Sequence, residues 1–399
     1  MLDTQAPGVY CQQVDSRSQP MVAAGTRVAG MAGAAPDPRA HLNVARPVND
    51  WPQFCRDYFP ENAPATDLAH AVCGFFQNGG SRCYVVNTGK AATVAGDARK
   101  GSGILALETY DEIAMLLAPG YTDPVSQGAL VDLAKRREDC IAILDCVSDV
   151  DNVAELTEPA TVSAPADGGD KADAKAANKS TGKGPPRSDY AACYYPNIVV
   201  KKLDGEGVVA VPPSGHIAGI YAMNDARRGV HRAPANLGIA GAAGLERRLT
   251  HAQQGLLNSK GINCIRHFRD RGIKVWGART LSNSPQWRYV NVRRLYMMIR
   301  ESLIDGCQWA VFNPNDHETR MALTFTCNAF LKRQWNLGAL VGATQEEAFF
   351  VQCDETNNPP ETVEAGILNV DIGISPSRPA EFIMFRLGLT AASGDEADA

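Results

Sequence analysis

Asp67-LAHAVCGFFQNGGSRCYVVNT, residues 67–88, contains a helix and a strand in immediate succession. Leu68, Ala71, Val72, Phe75 and Phe76 fall at i, i+3, i+4, i+7 and i+8 behind an Asp67 cap, with Gly79 as a stop. That is one apolar helix face. Arg82-CYVVNT then reads as a strand, so the local pattern is a helix handing over to an apolar strand, the unit from which an α/β layer is built.

Working outward, Thr26 to Gly33 reads as a short strand of small residues, followed by a loop holding Pro36 and Pro38. Downstream, Gly103-ILAL is expected to be a strand, and Thr109-YDE matches a capping box that predicts a helix through Leu117. Asp123-Pro124 predicts a helix start, with the helix running to about Arg137. Cys140-IAILD is a continuous apolar run, as expected of a strand covered on both faces. After Tyr190 the pattern gives a strand-like YYPNIVVKKL, a helix from Ser214 to Ala226, and a helix opened by the capping box Thr250-HAQ.

The last third repeats the texture. Ile262-NCIRHF and Ile273-KVWGA, joined by Arg269-DRG, predict a hairpin. A helix from Val290 to Asp305 puts Val292, Leu295, Tyr296, Ile299 and Leu303 on one face before Gly306, and Trp309-AVF is expected to be a strand. A helix from about Asp316 to Asn336 turns Leu323, Cys327, Phe330 and Leu331 inward and Lys332 outward. Ala348-FFVQC and Ile367-LNVDIG are two further strands; after Pro376 and Pro379 comes the apolar run Glu381-FIMFRL and a polar, acidic tail. The expected class is α/β (mixed α+β), with mixed sheets flanked by helices.

The 399 residues are 45% hydrophobic and 21% charged, enough for about two domains with true cores. A net charge of −5 supplies no general basic field for a phosphate backbone, so nucleic acid is not an expected partner. Eleven cysteines, an odd number without a CxxC, fit buried reduced thiols better than a disulfide framework or a zinc ribbon. The N-terminal MLDTQAPGVYCQQVD lacks the features of a secretion signal, and no stretch approaches the ~20 apolar residues that span a bilayer. The chain is expected to be made in the cytoplasm, with no membrane insertion.

Pro159 to Ser188 contains no aromatic residue and only Val162 as a large apolar side chain. It is expected to be a disordered hydrophilic insertion, and its Asn178-Lys179-Ser180 sequon carries no weight without a secretion signal.

There is no GxGxxG after a strand, no GxxxxGK[ST], no HExxH and no GxSxG. Ser214-Gly215-His216 invites a nucleophile-and-base reading, but residues two apart on a helix do not face each other, and Ser214 after two prolines reads as an N-cap. The seven histidines offer no i, i+4 pair. Asp354-Glu355 beside Asn357-Asn358 reads as a polar loop rather than a cation site, and Arg266, Arg269 and Arg271 as a solvated turn face or a docking patch for an acidic partner. No catalytic, cofactor or metal residue is assigned.

Several strings, in order, resemble the contractile tail sheath family of phage tails, R-type pyocins and extracellular contractile injection systems. They are Ala6-PGVY, Phe75-FQNGGSRCYVV, Pro212-PSGHIAGIYA, Gly229-VHRAPAN, Leu257-NSKGIN, Gly272-IKVWGARTL, Gln286-WRYVNVRRL, Gln308-WAVFNPND, Gly338-ALVGATQEEAFFVQCDETNNPP and Pro379-AEFIMFRL. The resemblance implies a non-enzymatic structural subunit that polymerises as a helical sheath of stacked rings around an inner tube and contracts to drive it. Baseplate and terminal cap proteins are further implied partners. The implied organisation is an N-terminal arm (1–24), an outer α/β domain (25–261), an inner tube-facing α/β domain (262–375), and a C-terminal arm and acidic tail (376–399).

The resemblance also implies that both arms add strands to neighbouring subunits. The residues concerned are Gln12 and Val14 at one end and Phe382, Ile383, Met384, Phe385, Arg386 and Leu387 at the other, and the apolar terminal run independently calls for a partner strand. Lys332 and Arg333 are the tube-facing candidates. An α/β enzyme with an unrecognised site is the competing reading; convergent acid and base groups with shifted pKa values in a deep pocket would favour it.

Overall fold

A computed structural model describes residues 21–160 and 182–384. Gln12, Val14, Phe385, Arg386 and Leu387 lie outside the described residues, as does most of the hydrophilic stretch with its sequon. The residues flanking that stretch are packed into the body: Ala160 N–H donates to Gly184 O and Arg187 donates to Thr157 O.

The first part of the chain forms β1 (Val28–Gly33), β2 (Arg46–Val48), α1 (Trp51–Tyr58), α2 (Asp67–Gln77), β3 (Cys83–Asn87), β4 (Ile113–Leu117), α3 (Pro124–Arg137) and β5 (Ile141–Asp145). There follow β6 (Ala191–Tyr195), β7 (Ile198–Lys201), β8 (Val208–Val211), α4 (Ser214–Arg228), β9 (Leu237–Gly238), β10 (Ala242–Leu245), α5 (His251–Ser259), β11 (Ile262–Phe268) and β12 (Gly272–Val275). One nine-stranded sheet runs β2-β3-β1-β4-β5-β6-β11-β12-β9. Its six central strands are parallel; β2 pairs antiparallel with β3 at one edge, and at the other β12 pairs antiparallel with β11 and β9 antiparallel with β12. A second sheet orders β10-β7-β8.

The continuous apolar strands are explained by burial on both faces. Met31, Val85, Met115 and Ile143 meet Phe54, Leu68 and Phe75 on one face, together with Ile217 and Tyr221 of α4. Val86, Leu116, Ala142 and Leu144 meet Leu130, Val131 and Leu133 of α3 on the other. The closest helix contact is between α2 and α4. A Cβ on Gly215 would lie 2.4 Å from Ala71 Cα, and one on Gly219 2.4 Å from Phe75 O, so small residues set this spacing.

The chain closes with α6 (Val290–Cys307), α7 (His317–Asn336), α8 (Gln345–Ala348), β13 (Phe349–Gln352), α9 (Pro360–Glu364) and β14 (Asp371–Ile374), with β13 and β14 antiparallel. Met21, Leu295, Met298, Cys327, Phe330 and Phe349 share a separate core here. Helix α6 joins the two parts, because Val290 and Met297 belong to the sheet's core while Leu295 and Ile299 belong to this one.

Several expectations are corrected. Ile113–Leu117 is a strand rather than a helix; pairing with β1 and β5 overrides the local capping signal at Thr109. Gly103–Leu107 is a 3₁₀ turn that buries Ile104 and Leu107, three residues apart. Trp309-AVF is not a strand: α6 continues through Gly306 to Cys307, a 3₁₀ turn occupies Gln308–Ala310, and too little chain remains before the Asp316 cap. The cap of α2 is Thr66, not Asp67, and α4 is capped at Pro213 with Ser214 already helical. Tyr296 stays partly exposed, edge-on to Trp287 at a centroid distance of 5.1 Å. The hairpin and the helices opened by Asp123, Thr250 and Asp316 form as expected. The nine-stranded sheet crosses the division expected at 261/262, since β11 pairs with β6.

Candidate functional site

The central strands β3-β1-β4-β5-β6, renumbered in chain order, run 2-1-3-4-5. In open α/β sheets of this order, ligands bind beyond the carboxyl ends of the strands, where the winding reverses. A crevice of about 560 Å³ lies there, lined by residues including Asp67, Gly120, Thr122 and Asp123. The helix N-termini around that edge are already occupied by side-chain oxygens. Thr66 accepts from Ala69 N–H at 3.3 Å, Asp123 from Ser126 N–H at 2.8 Å, and Asp145 from Ser214 N–H at 2.9 Å. Amides that elsewhere hold a phosphate are spent on internal caps.

Asp145 is the strongest acid–base candidate. It accepts from Ser214 Oγ at 2.7 Å and from Gly120 N–H at 3.3 Å, and burial pushes its carboxyl up to about 7 against the pull of those bonds. His216, two residues beyond Ser214, is driven down to about 4 by burial and by nearby His70, and its ring packs on Gly74. Ser214 is 0% exposed, and Asp145 and His216 are each 2% exposed. These groups therefore lock β5 to the start of α4 behind a closed surface. Ser214 and His216 do not form a pair.

The N-terminal end of the described chain lies against α6 and α7, and the C-terminal end against α5 and the segment between β12 and α6. Met21 is buried; its carbonyl accepts from Arg333, and Ala24 N–H donates to Ser302 Oγ at 2.9 Å. Thr26 Oγ1 donates to Asp225 at 2.7 Å, and Arg294 holds the same carboxylate through two bonds of 3.0 and 2.7 Å while donating to Thr26 O. This buried ion pair ties the chain start, α4 and α6 together. At the other end Glu381 accepts from Arg279 Nε at 2.9 Å, from Asn258 at 2.9 Å and from Tyr289 OH at 3.4 Å. Burial would raise its carboxyl, but these donors outweigh it and hold the group below the usual range.

Immediately after that anchor, Phe382, Ile383 and Met384 are 69%, 76% and 89% exposed. They are not in a strand of this chain. Lys332 is exposed on α7, whereas the Arg333 guanidinium is turned to Met21 O and lies 5.6 Å from the Phe330 ring. The outer side of α7 also exposes Met321 and Phe325, which line a groove of about 590 Å³ with Arg320 and Asp354. Arg266 donates to Gln254, and Arg271 lies 4.7 Å over Phe268, so the basic hairpin is partly engaged internally. Asp354 accepts from Thr356 N–H at 2.8 Å within its own loop.

Sequence reasoning missed Arg279, Arg294 and Asp145, because pairings across 102, 69 and 69 residues leave no local spacing signal. A basic residue inside an apolar helical repeat, as at Arg294, is the one clue that was available.

An α/β layer whose helix N-termini at the ligand-binding edge are capped by its own side chains, followed by a C-terminal unit that leaves large apolar residues exposed, fits the class of subunits made for assembly. Comparison with known proteins agrees. Residues 160–281 match the phage tail sheath protein central domain and residues 282–390 the phage tail sheath C-terminal domain, together more than half of the chain. The chain belongs to the contractile tail sheath family.

It is 28% identical over 192 residues to the tail sheath protein of Vibrio phage KVP40, a match that takes in 47% of this chain and 28% of that protein. It is 27% identical over 226 residues to a putative prophage major tail sheath protein of Pseudomonas aeruginosa (strain UCBPP-PA14), taking in 52% of this chain and 56% of that one. The chain thus spans little more than half, or less, of the length of these curated relatives.

Two solved structures align almost end to end. The sheath of the PVC extracellular contractile injection system in its contracted state gives a TM-score of 0.77 at 27% identity, covering 98% of this chain and 99% of that one. The contracted helical sheath of the anti-feeding prophage gives 0.75 at 29%, covering 97% and 100%.

Proposed function

We propose that this chain is the repeating subunit of a contractile sheath in a phage tail-like particle, polymerising around a rigid inner tube and contracting to drive the tube through a target envelope. The end-to-end alignment with injection-system sheaths, against partial alignment with the phage proteins, favours a particle of the injection-system type. The subunit is made in the cytoplasm and works without a nucleotide, consistent with helix N-termini filled by Thr66, Asp123 and Asp145. Its partners are further copies of itself, the tube protein, and baseplate and terminal cap proteins. The sealed Asp145 and Ser214 disfavour the enzyme reading.

The observation that carries this reading is the exposure of Phe382, Ile383 and Met384 directly after the Glu381 anchor. In an extended run, Phe382 and Met384 lie on one side and Ile383 on the other, so strand addition to a neighbour's sheet covers both. Phe385, Arg386 and Leu387 continue this arm, and Gln12 and Val14 belong to its counterpart at the other end. Lys332 presents its charge to the tube; Arg333, beside it on α7, backs that face with its guanidinium held by Met21 O. With the boundary moved beyond β12, because β11 pairs with β6, the layer before residue 282 and the unit after it are the outer and inner parts of the subunit, and the hydrophilic residues 161–181 are dispensable.

The test is electron microscopy of particles made from the native gene cluster with the sheath truncated before Ala380, or carrying Ile383→Pro. Both variants are expected to yield folded monomer and no sheath, because proline removes a ladder donor whatever the side chains do. Contractile sheath of normal length from either variant overturns strand exchange through this arm. Excising residues 161–181 with a short Gly-Ser bridge should leave sheath length and contraction unchanged in the same micrographs.

A further inference from the structure

The described cysteines are all free thiols, and two pairs of them are in sulfur contact. Cys146, just after β5, and Cys193 on β6 lie 2.7 Å apart; Cys307 and Cys327 lie 3.8 Å apart, between the last residue of α6 and the middle of α7. Distance alone favours the first pair. Access favours the second, because Cys146 and Cys193 are 4% and 0% exposed while Cys307 is only half-buried. A thiol sealed in a sheet core meets no oxidant, whereas a partly exposed one with a second sulfur behind it is the usual arrangement of an attacking and a resolving cysteine.

We propose that Cys307 and Cys327 form a redox-active dithiol that closes to an intramolecular disulfide on contact with a low-molecular-weight disulfide oxidant. Cys307 stands at the end of α6, followed by the exposed turn carrying Val311 and Phe312, so the incoming disulfide reaches it from solvent. Its thiol is held below the ordinary range by the hydrogen bond from Cys327, against the opposing effect of burial. The Cys307 thiolate attacks one sulfur of the oxidant; that S–S bond breaks, a mixed disulfide forms, and the departing thiolate takes up a proton. Cys327 is raised chiefly by its bond to Cys307, with burial as a second cause, and the first of these disappears once Cys307 is in the mixed disulfide. Cys327 then gives up its proton, attacks Cys307 Sγ and expels the second thiolate, which is protonated in turn. Two cysteine thiols are oxidised to one disulfide, the oxidant is reduced to two thiols, and the protons balance.

The sulfurs have to close from 3.8 Å to the ~2.05 Å of a bond, a movement within reach of side-chain rotation at the frayed last residue of a helix. The product staples the end of α6 to α7 across the turn at 308–316. In the reduced chain that turn is linked to α7 chiefly by local caps such as Asp316 to Thr319 N–H.

The experiment uses the full chain, purified under reductant, exposed to glutathione disulfide at mildly alkaline pH, quenched by alkylation and mapped by peptide mass spectrometry. The expected product is a peptide pair joined through Cys307 and Cys327, reversed by dithiothreitol. The Cys307→Ser variant should form no disulfide at Cys327, and Cys327→Ser should stop at a stable glutathione adduct on Cys307. Three outcomes overturn the proposal: no oxidation at Cys307, a persistent glutathione adduct on Cys307 in the unaltered chain, or a link through Cys146–Cys193 or Cys327–Cys353. Far-ultraviolet circular dichroism of each variant distinguishes altered reactivity from misfolding.

Discussion

The layer before residue 282 and the C-terminal unit after it treat apolar surface in opposite ways. Of the nineteen strongly exposed large apolar residues among the described positions, six belong to the layer and thirteen to the much shorter C-terminal unit. The layer covers both faces of its sheet with its own helices, and even its helix termini are satisfied internally. The C-terminal unit has one small core and leaves Phe312, Phe325, Leu337, Phe350 and Phe382 in solvent. A patch of that kind calls for a partner. The contrast separates a part of the subunit that closes over its own apolar surface from a part that leaves it exposed.

The sharpest way to break that comparison is a pair of substitutions. Gly215→Val puts a side chain into the α2–α4 contact, where Ala71 backbone leaves 2.4 Å for the first added atom. A helix cannot yield there without moving the sheet beneath it, so the expected loss is about 3 kcal/mol or more of monomer stability. Phe325→Ser removes a ring that is already 72% exposed, and should change monomer stability by no more than about 0.5 kcal/mol while impairing sheath assembly. Urea denaturation of the two monomers, with sedimentation of assembled material, checks both halves. Equal monomer destabilisation by the two changes would remove the distinction.

What could be read in the sequence follows the same line. Helices with a cap at a fixed offset, at Asp123, Thr250 and Asp316, were legible because cap and apolar period are local signals. Ile113–Leu117 was not, since a run of five apolar residues suits a helix or a doubly covered strand, and only its neighbours β1 and β5 decide. The assembly role was legible in the ordered family strings. The anchors of the two described ends, Arg279 to Glu381 at one and Arg294 to Asp225 at the other, were hidden because each joins residues far apart in the chain.

A smaller effect tests how self-contained the layer is. Asp145 has its folded-state pKa raised by burial to about 7 from an ordinary 3.8, so the native state binds the extra proton between those values and loses stability as pH rises through them. His216 is lowered to about 4 from 6.5; there the unfolded chain binds the extra proton, and stability is lost as pH falls through that window. The two slopes oppose each other between about 4 and 6.5, at roughly 1.4 kcal/mol per pH unit each. Asp145→Asn removes one of them. Relative to the unaltered chain, the variant should therefore gain about 2–3 kcal/mol between pH 4.5 and 6.5, read from urea melts at the two values. A stability difference independent of pH would mean that Asp145 stays ionised throughout, and so that its site is open to water.

The smallest expected effect falls on the other region. Lys332 and Arg333 are adjacent on α7, yet only Lys332 has its charge turned outward, since the Arg333 guanidinium bonds to Met21 O. An exposed ammonium contributes about 0–1 kcal/mol in a single contact, and salt screens it over about 10 Å at 0.1 M. Lys332→Glu should therefore leave the monomer unchanged. In a helical polymer the same small term recurs at every subunit, so charge reversal should weaken co-assembly with the tube most at low ionic strength and progressively less as salt is added. Arg333→Gln should behave differently: loosening Met21 reduces monomer stability modestly, with little dependence on salt, because the lost bond is to a backbone carbonyl. Pelleting sheath with tube across a salt series separates the two. If Lys332→Glu co-assembled as well as the unaltered chain in low salt, the tube-facing surface would have to be sought among the exposed apolar residues of α7, with Met321 and Phe325 first.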